Sequence, residues 1–181
     1  SPMSPQRWRL DGQLALVTGG SAGIGRAIAR ELLGFGARVL IAARDGNGLD
    51  AVRIELEEEF PDGEVRTFVS DVSDDEQRRE LLDWVEDIGD GLNILVNNAG
   101  SNLTKSAIDY SEDEWRNIFE TNLFSAFELA RSTYPLLTKH AASCIVNVGS
   151  VSAITHVRSG APYGMSKAAM HQMTRNLAVE W

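Results

Sequence analysis

The chain has 181 residues, 43% of them hydrophobic and 24% charged, which suits one domain with a sizeable core. Acidic residues outnumber basic ones 26 to 17, for a net charge of −9, and this balance excludes a nucleic-acid partner on electrostatic grounds. No apolar run is long enough to cross a membrane, and the first ten residues lack the apolar core of a signal peptide.

In chain order, residues 1–12 read as a loose arm that Trp8 and Leu10 tack to the body. Leu14 to Val17 is a short apolar run, the pattern of a strand covered on both faces. Gly19, Gly23 and Gly25 follow, and then Ile24, Ala27, Ile28 and Leu32 recur at helical spacing over about 24–34. A strand, a glycine turn and a helix start form a phosphate cradle. Glycine permits the tight turn and a close approach of backbone N–H groups, and the helix N-terminus favours an anion. Gly19, Ser21, Ala22, Gly23, Ile24 and Gly25 are therefore candidate nucleotide-binding residues.

Arg38 to Ala42 is the second strand, and a helix spans 47–59. Its Glu57, Glu58 and Glu59 read as a solvated face, so no metal site is expected. A third strand covers about 64–70 after the turn at Pro61-Asp62-Gly63. Ser73 with Glu76 has the spacing of a capping box opening a third helix. Asn93 to Asn97 is the fourth strand. Ser111 with Glu114 is a second capping box, opening a helix to about His140. Cys144 to Val148 is the fifth strand, and a last helix runs from about Pro162 to Trp181. Cys144 is the single cysteine, which fits a reducing, cytoplasmic setting.

Five strands alternating with helices predict an α/β fold: a doubly wound parallel sheet, Rossmann-like and three-layered, in the order 3-2-1-4-5. Ligands bind at the carboxyl ends of such strands, near the switch between strands one and four. There, Arg44 follows Ala43, at the place where NAD enzymes usually carry an acid for the ribose 2′-hydroxyl. A cation there suits a 2′-phosphate, so NADP(H) is expected over NAD(H). Asp71 and Val72 are placed to meet the adenine, and the small residues of Asn97-Asn98-Ala99-Gly100 let the backbone lie along the cofactor.

Strand five ends at Ser150, with Tyr163 and Lys167 beyond it at i, i+4 on one helix face. A phenol with a reference pKa of about 10 is a poor acid–base group at neutral pH. A neighbouring ammonium favours the phenolate, which is the physical reason for such a pair. Ser150 is able to hydrogen-bond a substrate carbonyl. Ser101, Asn102, Ser152, His156, Val157 and Arg158 are expected to line the mouth, and His156 and Arg158 suit a polar or acidic substrate as well as they suit plain solvent exposure.

With these residues in view, the chain resembles the short-chain dehydrogenase/reductase family over essentially its whole length. The carrying residues are Thr18-Gly19-Gly20-Ser21-Ala22-Gly23-Ile24-Gly25, Asp71-Val72, Asn97-Asn98-Ala99-Gly100, Asn122, Ser150 and Tyr163-Gly164-Met165-Ser166-Lys167. The stretch Ala169-Met170-His171-Gln172-Met173-Thr174 is similar to the tropinone-reductase-like branch. The resemblance implies an oxidoreductase interconverting a ketone and a secondary alcohol. Tyr163 is then the general acid or base, Lys167 lowers its pKa and binds the nicotinamide ribose, and Ser150 orients the carbonyl. Asn122 holds a water that links Lys167 to solvent. Ser150, Ser152, His156 and Tyr163 form the substrate set. Residues 13–181 are expected to be one NAD(P)-binding domain carrying this machinery.

Members of that family usually continue through two further strands, a substrate-covering segment and a threonine that meets the nicotinamide amide. The expectation is a shortened chain whose fifth strand is an exposed edge. A catalytically silent nucleotide-binding or oligomerisation module is the alternative, and intact Ser150, Tyr163 and Lys167 argue against it. An extended epimerase-type relative fits the Gly19-Gly23-Gly25 spacing and Ser21 less well. Apolar residues in excess of one sheet contact (Phe119, Leu123, Phe127, Leu129 and Tyr134 on one helix; Met165, Met170, Met173 and Leu177 on the last) predict a homodimer or homotetramer.

Overall fold

A computed structural model describes residues 8–89 and 91–181. The sheet has five parallel strands in the order β3-β2-β1-β4-β5, as the alternation predicts. They are β1 (Leu14–Thr18), β2 (Arg38–Ala43), β3 (Val65–Val69), β4 (Ile94–Asn97) and β5 (Cys144–Asn147). The helices are α1 (Gly23–Gly34), α2 (Gly46–Glu59), α3 (Asp75–Ile88), α4 (Glu112–Phe119), α5 (Ser125–Leu137) and α6 (Ala161–Glu180).

Period two along β1 explains its unbroken apolar run. Ala15 and Val17 face the layer of α1 and α2, where they pack with Val39, Ile41, Ala29, Leu49, Val52 and Leu56. Leu14 and Leu16 face the other way, toward Leu40, Leu95, Leu81 and Val85 of α3 and Leu129 and Leu136 of α5. Both faces of the central strand are closed, so its four residues from Leu14 to Val17 are all apolar, and only Thr18, at its end, is polar. Leu16 pairs with Leu40 on one side and Leu95 on the other. Truncating so enclosed a side chain to alanine costs about 2–5 kcal/mol. At the sheet's edge β5 is different, with Val146 44% exposed.

Three local readings change. The third helix is capped by Asp74, whose carboxylate accepts the Gln77 N–H at 2.9 Å, and not by Ser73. The Ser73 hydroxyl is drawn off by Asp71, to which it donates at 2.6 Å. Ser111 and Glu114 do form the predicted capping box, at the start of α4. The long helix from there is interrupted, however. A π turn at Glu120–Phe124 separates α4 from α5, and the last turn of α5 ends at Leu137 instead of near His140. Of the arm, Leu10 donates its N–H to the Phe35 carbonyl at 2.8 Å and packs on the core, whereas Trp8 is 57% exposed and joins neither described core cluster. The rest of the arm, residues 1–7, lies outside the described residues. No described helix is long and apolar enough to cross a membrane.

Candidate active site

The loop after β1 is a turn held from two sides. Gly19 takes φ +66°, donates its N–H to the Ala42 carbonyl at 2.7 Å, and lies so near β4's loop that a Cβ there would sit 2.9 Å from the Ala99 Cα. Gly25, in the first turn of α1, has no room at all. A Cβ on it would fall 2.4 Å from both the Asn98 amide nitrogen and the Gly19 carbonyl. Gly23 is different again, with φ +55° and open space where a Cβ would go. Ala22 stands at the N-cap of α1 and offers no side-chain acceptor. The first N–H groups of that helix therefore have no side-chain cap and face the open turn, which suits an anion.

The staple between β1 and β4 is a set of contacts that sequence reasoning missed. The Thr18 hydroxyl accepts the N–H groups of Asn98 at 3.1 Å and Ala99 at 3.0 Å. The Asn98 amide donates to the carbonyls of Thr18 and Gly19, at 3.0 and 3.1 Å. The Asn98 side chain is thus turned into the glycine turn and holds it, while the expectation for this segment concerns its backbone. A threonine at the end of β1 and an asparagine directly after β4 carry no spacing signal of such a bond, because the two are 80 residues apart in sequence.

A cleft of about 240 Å³ opens beside this turn, between the ends of β1, β2 and β3. Gly19, Ser21, Arg44, Asp71, Val72 and Gly100 are among its lining residues, as the reading of the strand ends requires. Asp45, at the N-cap position of α2, lines it as well. The Arg44 guanidinium is 65% exposed and stands 3.9 Å from the Asp71 carboxylate, too far for a tight pair. The other Asp71 oxygen is fixed by the N–H and hydroxyl of Ser73, at 2.9 and 2.6 Å. Ile24, at the far side of the turn, is 64% exposed.

The second group gathers where β4, β5 and α6 meet. Gly160, at φ +87°, turns the chain into α6, and Pro162 sits in the helix's first turn, where a missing N–H costs nothing. Lys167 is 4% exposed. Its ammonium donates to the Val148 carbonyl at 2.8 Å and lies 5.9 Å from the centre of the Tyr163 ring. Burial pushes the Lys167 pKa below the usual lysine range. Ser150 opens a short 3-10 turn, Val151–Ala153, and its Oγ accepts from the N–H of Ser152 at 3.2 Å and from the Ser152 hydroxyl at 2.7 Å.

Asn122 lies in the π turn and is fully buried. Its Oδ1 accepts the Ser101 N–H at 2.7 Å, while its amide donates to the Ser101 carbonyl at 2.9 Å and to the Ser166 hydroxyl at 3.2 Å. Ser166 in turn donates to the Tyr163 carbonyl at 2.8 Å. Ser166 is a second residue that spacing alone did not single out. Gly100 closes the group: a Cβ there would lie 3.4 Å from Asn122 Oδ1 and 3.9 Å from the Lys167 ammonium. Ser152, His156, Val157 and Arg158 line a further cleft beside Ser150, as expected of the mouth. Ser101 and Asn102 do not. The first is clasped to Asn122, and the amide of the second donates to Thr104 at 3.3 Å.

Comparison with known proteins bears on both groups. A family model described as short chain dehydrogenase matches residues 13–181. A tropinone reductase homolog of Arabidopsis thaliana is 43% identical over 178 residues, covering 97% of this chain and 66% of the relative. A second homolog from the same plant is 44% identical over 177 residues, covering 97% and 65%. Among solved structures, Pseudomonas aeruginosa RhlG in its active-site complex with NADP is 36% identical, with a TM-score of 0.90 over 98% of this chain and 70% of that one. L-sorbose reductase from Gluconobacter frateurii, complexed with NADPH and L-sorbose, is 28% identical, with a TM-score of 0.91 over 96% and 65%. The chain thus spans about two thirds of the length of the curated relatives it matches.

Proposed function

The chain belongs to the short-chain dehydrogenase/reductase family, and from that premise we propose that it is an NADP(H)-dependent oxidoreductase that interconverts a ketone and a secondary alcohol. One observation carries the reading: a lysine ammonium, buried and anchored on the Val148 carbonyl at 2.8 Å, is held beside the ring of Tyr163. Burying a charge is costly, and a silent binding module gains nothing from it. Next to a phenol that must give up or take a proton, the same charge stabilises the phenolate.

The cleft fits the cofactor. The glycine turn leaves helix N–H groups for a diphosphate, and an exposed guanidinium at Arg44 awaits a 2′-phosphate, with Ser21 on the same wall. Bound there, NADP(H) supplies or accepts the hydride. In ketone reduction Tyr163 gives its phenolic proton to the substrate oxygen, and in alcohol oxidation it takes that proton back. Ser150 accepts both of its bonds from Ser152, which leaves its own O–H to be donated to the carbonyl. Lys167 holds positive charge under the phenol. Both amide hydrogens of Asn122 are taken by Ser101 and Ser166, so a relay water toward Lys167 rests on the carbonyl oxygens of Asn122. Asp71 and Val72 meet the adenine, and His156 joins Ser152 on the substrate side. Residues 13–181 act as one NAD(P)-binding domain. RhlG with NADP and the sorbose reductase with NADPH are the relatives that support the cofactor choice.

We also propose a homodimer or homotetramer. Phe124, Phe127, Met173 and Leu177 border an open apolar groove between the π turn, α5 and α6, and a second copy is its occupant. The test of the activity is consumption of NADPH, or reduction of NADP, over a panel of ketones and secondary alcohols. No turnover with either nicotinamide cofactor would overturn the reading.

A further inference from the structure

We infer that the substrate of this site carries an anionic group, a carboxylate or a phosphate ester, seated on the guanidinium of Arg158; the inference rests on the oxidoreductase reading above and deepens it. Beside Ser150 a second cleft of about 540 Å³ lies between the 151–160 loop, the start of α6 and the Thr104–Lys105 segment. Ser152 and Gly164 line it. The first is bonded to Ser150 and the second follows Tyr163 in the chain. The cleft therefore adjoins the pair that holds the carbonyl.

Its charge is the reverse of the chain's. Lys105, His156 and Arg158 line it, and no carboxylate does, although acids outnumber bases 26 to 17. Lys105 is already held by Glu114. Arg158 is held by none of the described residues. Every other described arginine is paired with a carboxylate, except Arg44, which stands loosely 3.9 Å from Asp71 in the cofactor cleft, and Arg175, which is bonded to Gln172. Among the described arginines Arg158 alone has neither an ion pair nor a side-chain hydrogen bond. In so acidic a chain, an arginine left without a carboxylate and placed on an acid-free cleft has a partner still to come. A guanidinium presents a planar fork of donors that fits two oxygens of a carboxylate or phosphate. A neutral polyol would be met as well by the cleft's hydroxyls, those of Thr104, Thr155 and Ser159, and would leave the charge of Arg158 unanswered.

The anionic group takes no part in bond making. With the hydride that the bound reduced cofactor would supply to the carbonyl carbon, Tyr163 gives the proton to the oxygen, and the anion on Arg158 fixes the orientation of the molecule. The experiment compares kcat/KM with NADPH and NADH for medium-chain oxo acids against their methyl esters and primary amides, and for keto phosphate esters against their free alcohols. The expected result is a preference for the anionic member of about ten- to a hundredfold. Arg158→Gln brings that ratio toward one, and Arg158→Lys restores part of it. A larger ratio for phosphates or for carboxylates identifies which anion is used, and either sustains the proposal. Equal use of charged and neutral members, or a preference that survives Arg158→Gln, overturns it. Turnover of neutral ketones alone removes the anion but leaves the oxidoreductase standing, whereas no turnover of any member with either cofactor removes both.

Discussion

The glycine turn beyond β1 and the corner between β5 and α6 sit at the same end of one sheet, and they are made of different material. The first is made of backbone. Every residue of β1 is buried, the turn's carbonyls are held by the Asn98 amide, and the positions that matter have no side chain. The second is made of side chains, Ser150, Tyr163 and Lys167, hung beside an edge strand whose residues are half open to solvent. A cradle of N–H groups recognises charge and shape, so it is sensitive to added volume. A corner of hydroxyls and one ammonium moves protons, so it is sensitive to lost functional groups. Damage to the two regions should therefore separate into lost affinity and lost turnover.

The largest separation is expected for Tyr163→Phe. Ring and packing stay while the proton donor goes, so kcat should fall by about 10²–10⁴-fold, with NADPH affinity within a few-fold of the parent. Steady-state rates and a fluorescence titration of NADPH measure the two quantities, and near-normal turnover would remove Tyr163 from its role. On the other side of the comparison, Arg44→Ala should erase a preference for NADPH over NADH of roughly one to two decades, the worth of one charge-assisted contact. Ala43→Asp with Arg44→Ala should reverse it, by adding an acceptor for a 2′-hydroxyl that repels phosphate. Titration of both cofactors against the three proteins decides the matter, and equal affinities in the parent chain would make Arg44 a plain surface cation.

Much of this was legible in the sequence because the signal was periodic or local. Two-sided burial leaves an unbroken apolar run at Leu14 to Val17, and five such alternations with helices fix the strand order. Tyr163 and Lys167 are one helical turn apart, so the α6 pattern brings them together without further information. The contacts that escaped are long-range and made by common residues. Nothing local ties Thr18 to Asn98 or Asn122 to Ser166, since only the closed sheet brings them within reach. The π turn left no trace because no glycine or proline interrupts the run from Glu112 to Tyr134. Ser73 and Asp74 are both acceptable caps by type, and only the competing bond from Ser73 to Asp71 chooses between them.

Two smaller effects sharpen the contrast between backbone and side chain. Gly25→Ala places a methyl 2.4 Å from the Asn98 amide and the Gly19 carbonyl. It should cost about 1–3 kcal/mol of stability and weaken NADPH and NADH alike. Gly23→Ala meets open space and carries only its left-handed conformation, about 1–2 kcal/mol, so thermal melts should rank it no worse than Gly25→Ala. The reverse ranking would show that space is not what selects glycine in this turn.

The smallest effect lies at the opposite end of the sheet, away from both regions. The Arg38 guanidinium, bonded to Glu64 at 2.7 Å, holds the Glu64 carboxyl below the usual carboxylate range. A folded-state pKa below the unfolded one stabilises the protein above the unfolded value, and this is lost as pH falls through the folded value. Glu64→Gln should therefore cost about 0.2–1 kcal/mol at neutral pH, with the gap to the parent closing in acid. Urea melts at the two pH values test it. An equal gap at both would mean that packing, not charge, sets the contribution.

The π turn at Glu120–Phe124 has a consequence for how this chain tolerates insertions and deletions. An α-helix advances about 100° per residue, so one additional residue in a single turn puts everything after it out of phase with everything before it. Across the turn, the segment from Glu112 to Leu137 addresses two neighbours: Asn122 turns inward to Ser101 and Ser166, while Leu129 and Leu136 of α5 meet the sheet. Removing any one residue between 120 and 124 would restore an ordinary helix with composition and hydropathy nearly unchanged. It would also swing the face of α5 about 100° away from the sheet or pull Asn122 out of its pocket. The reading frame of this helix is as much a part of the site as the residues it carries.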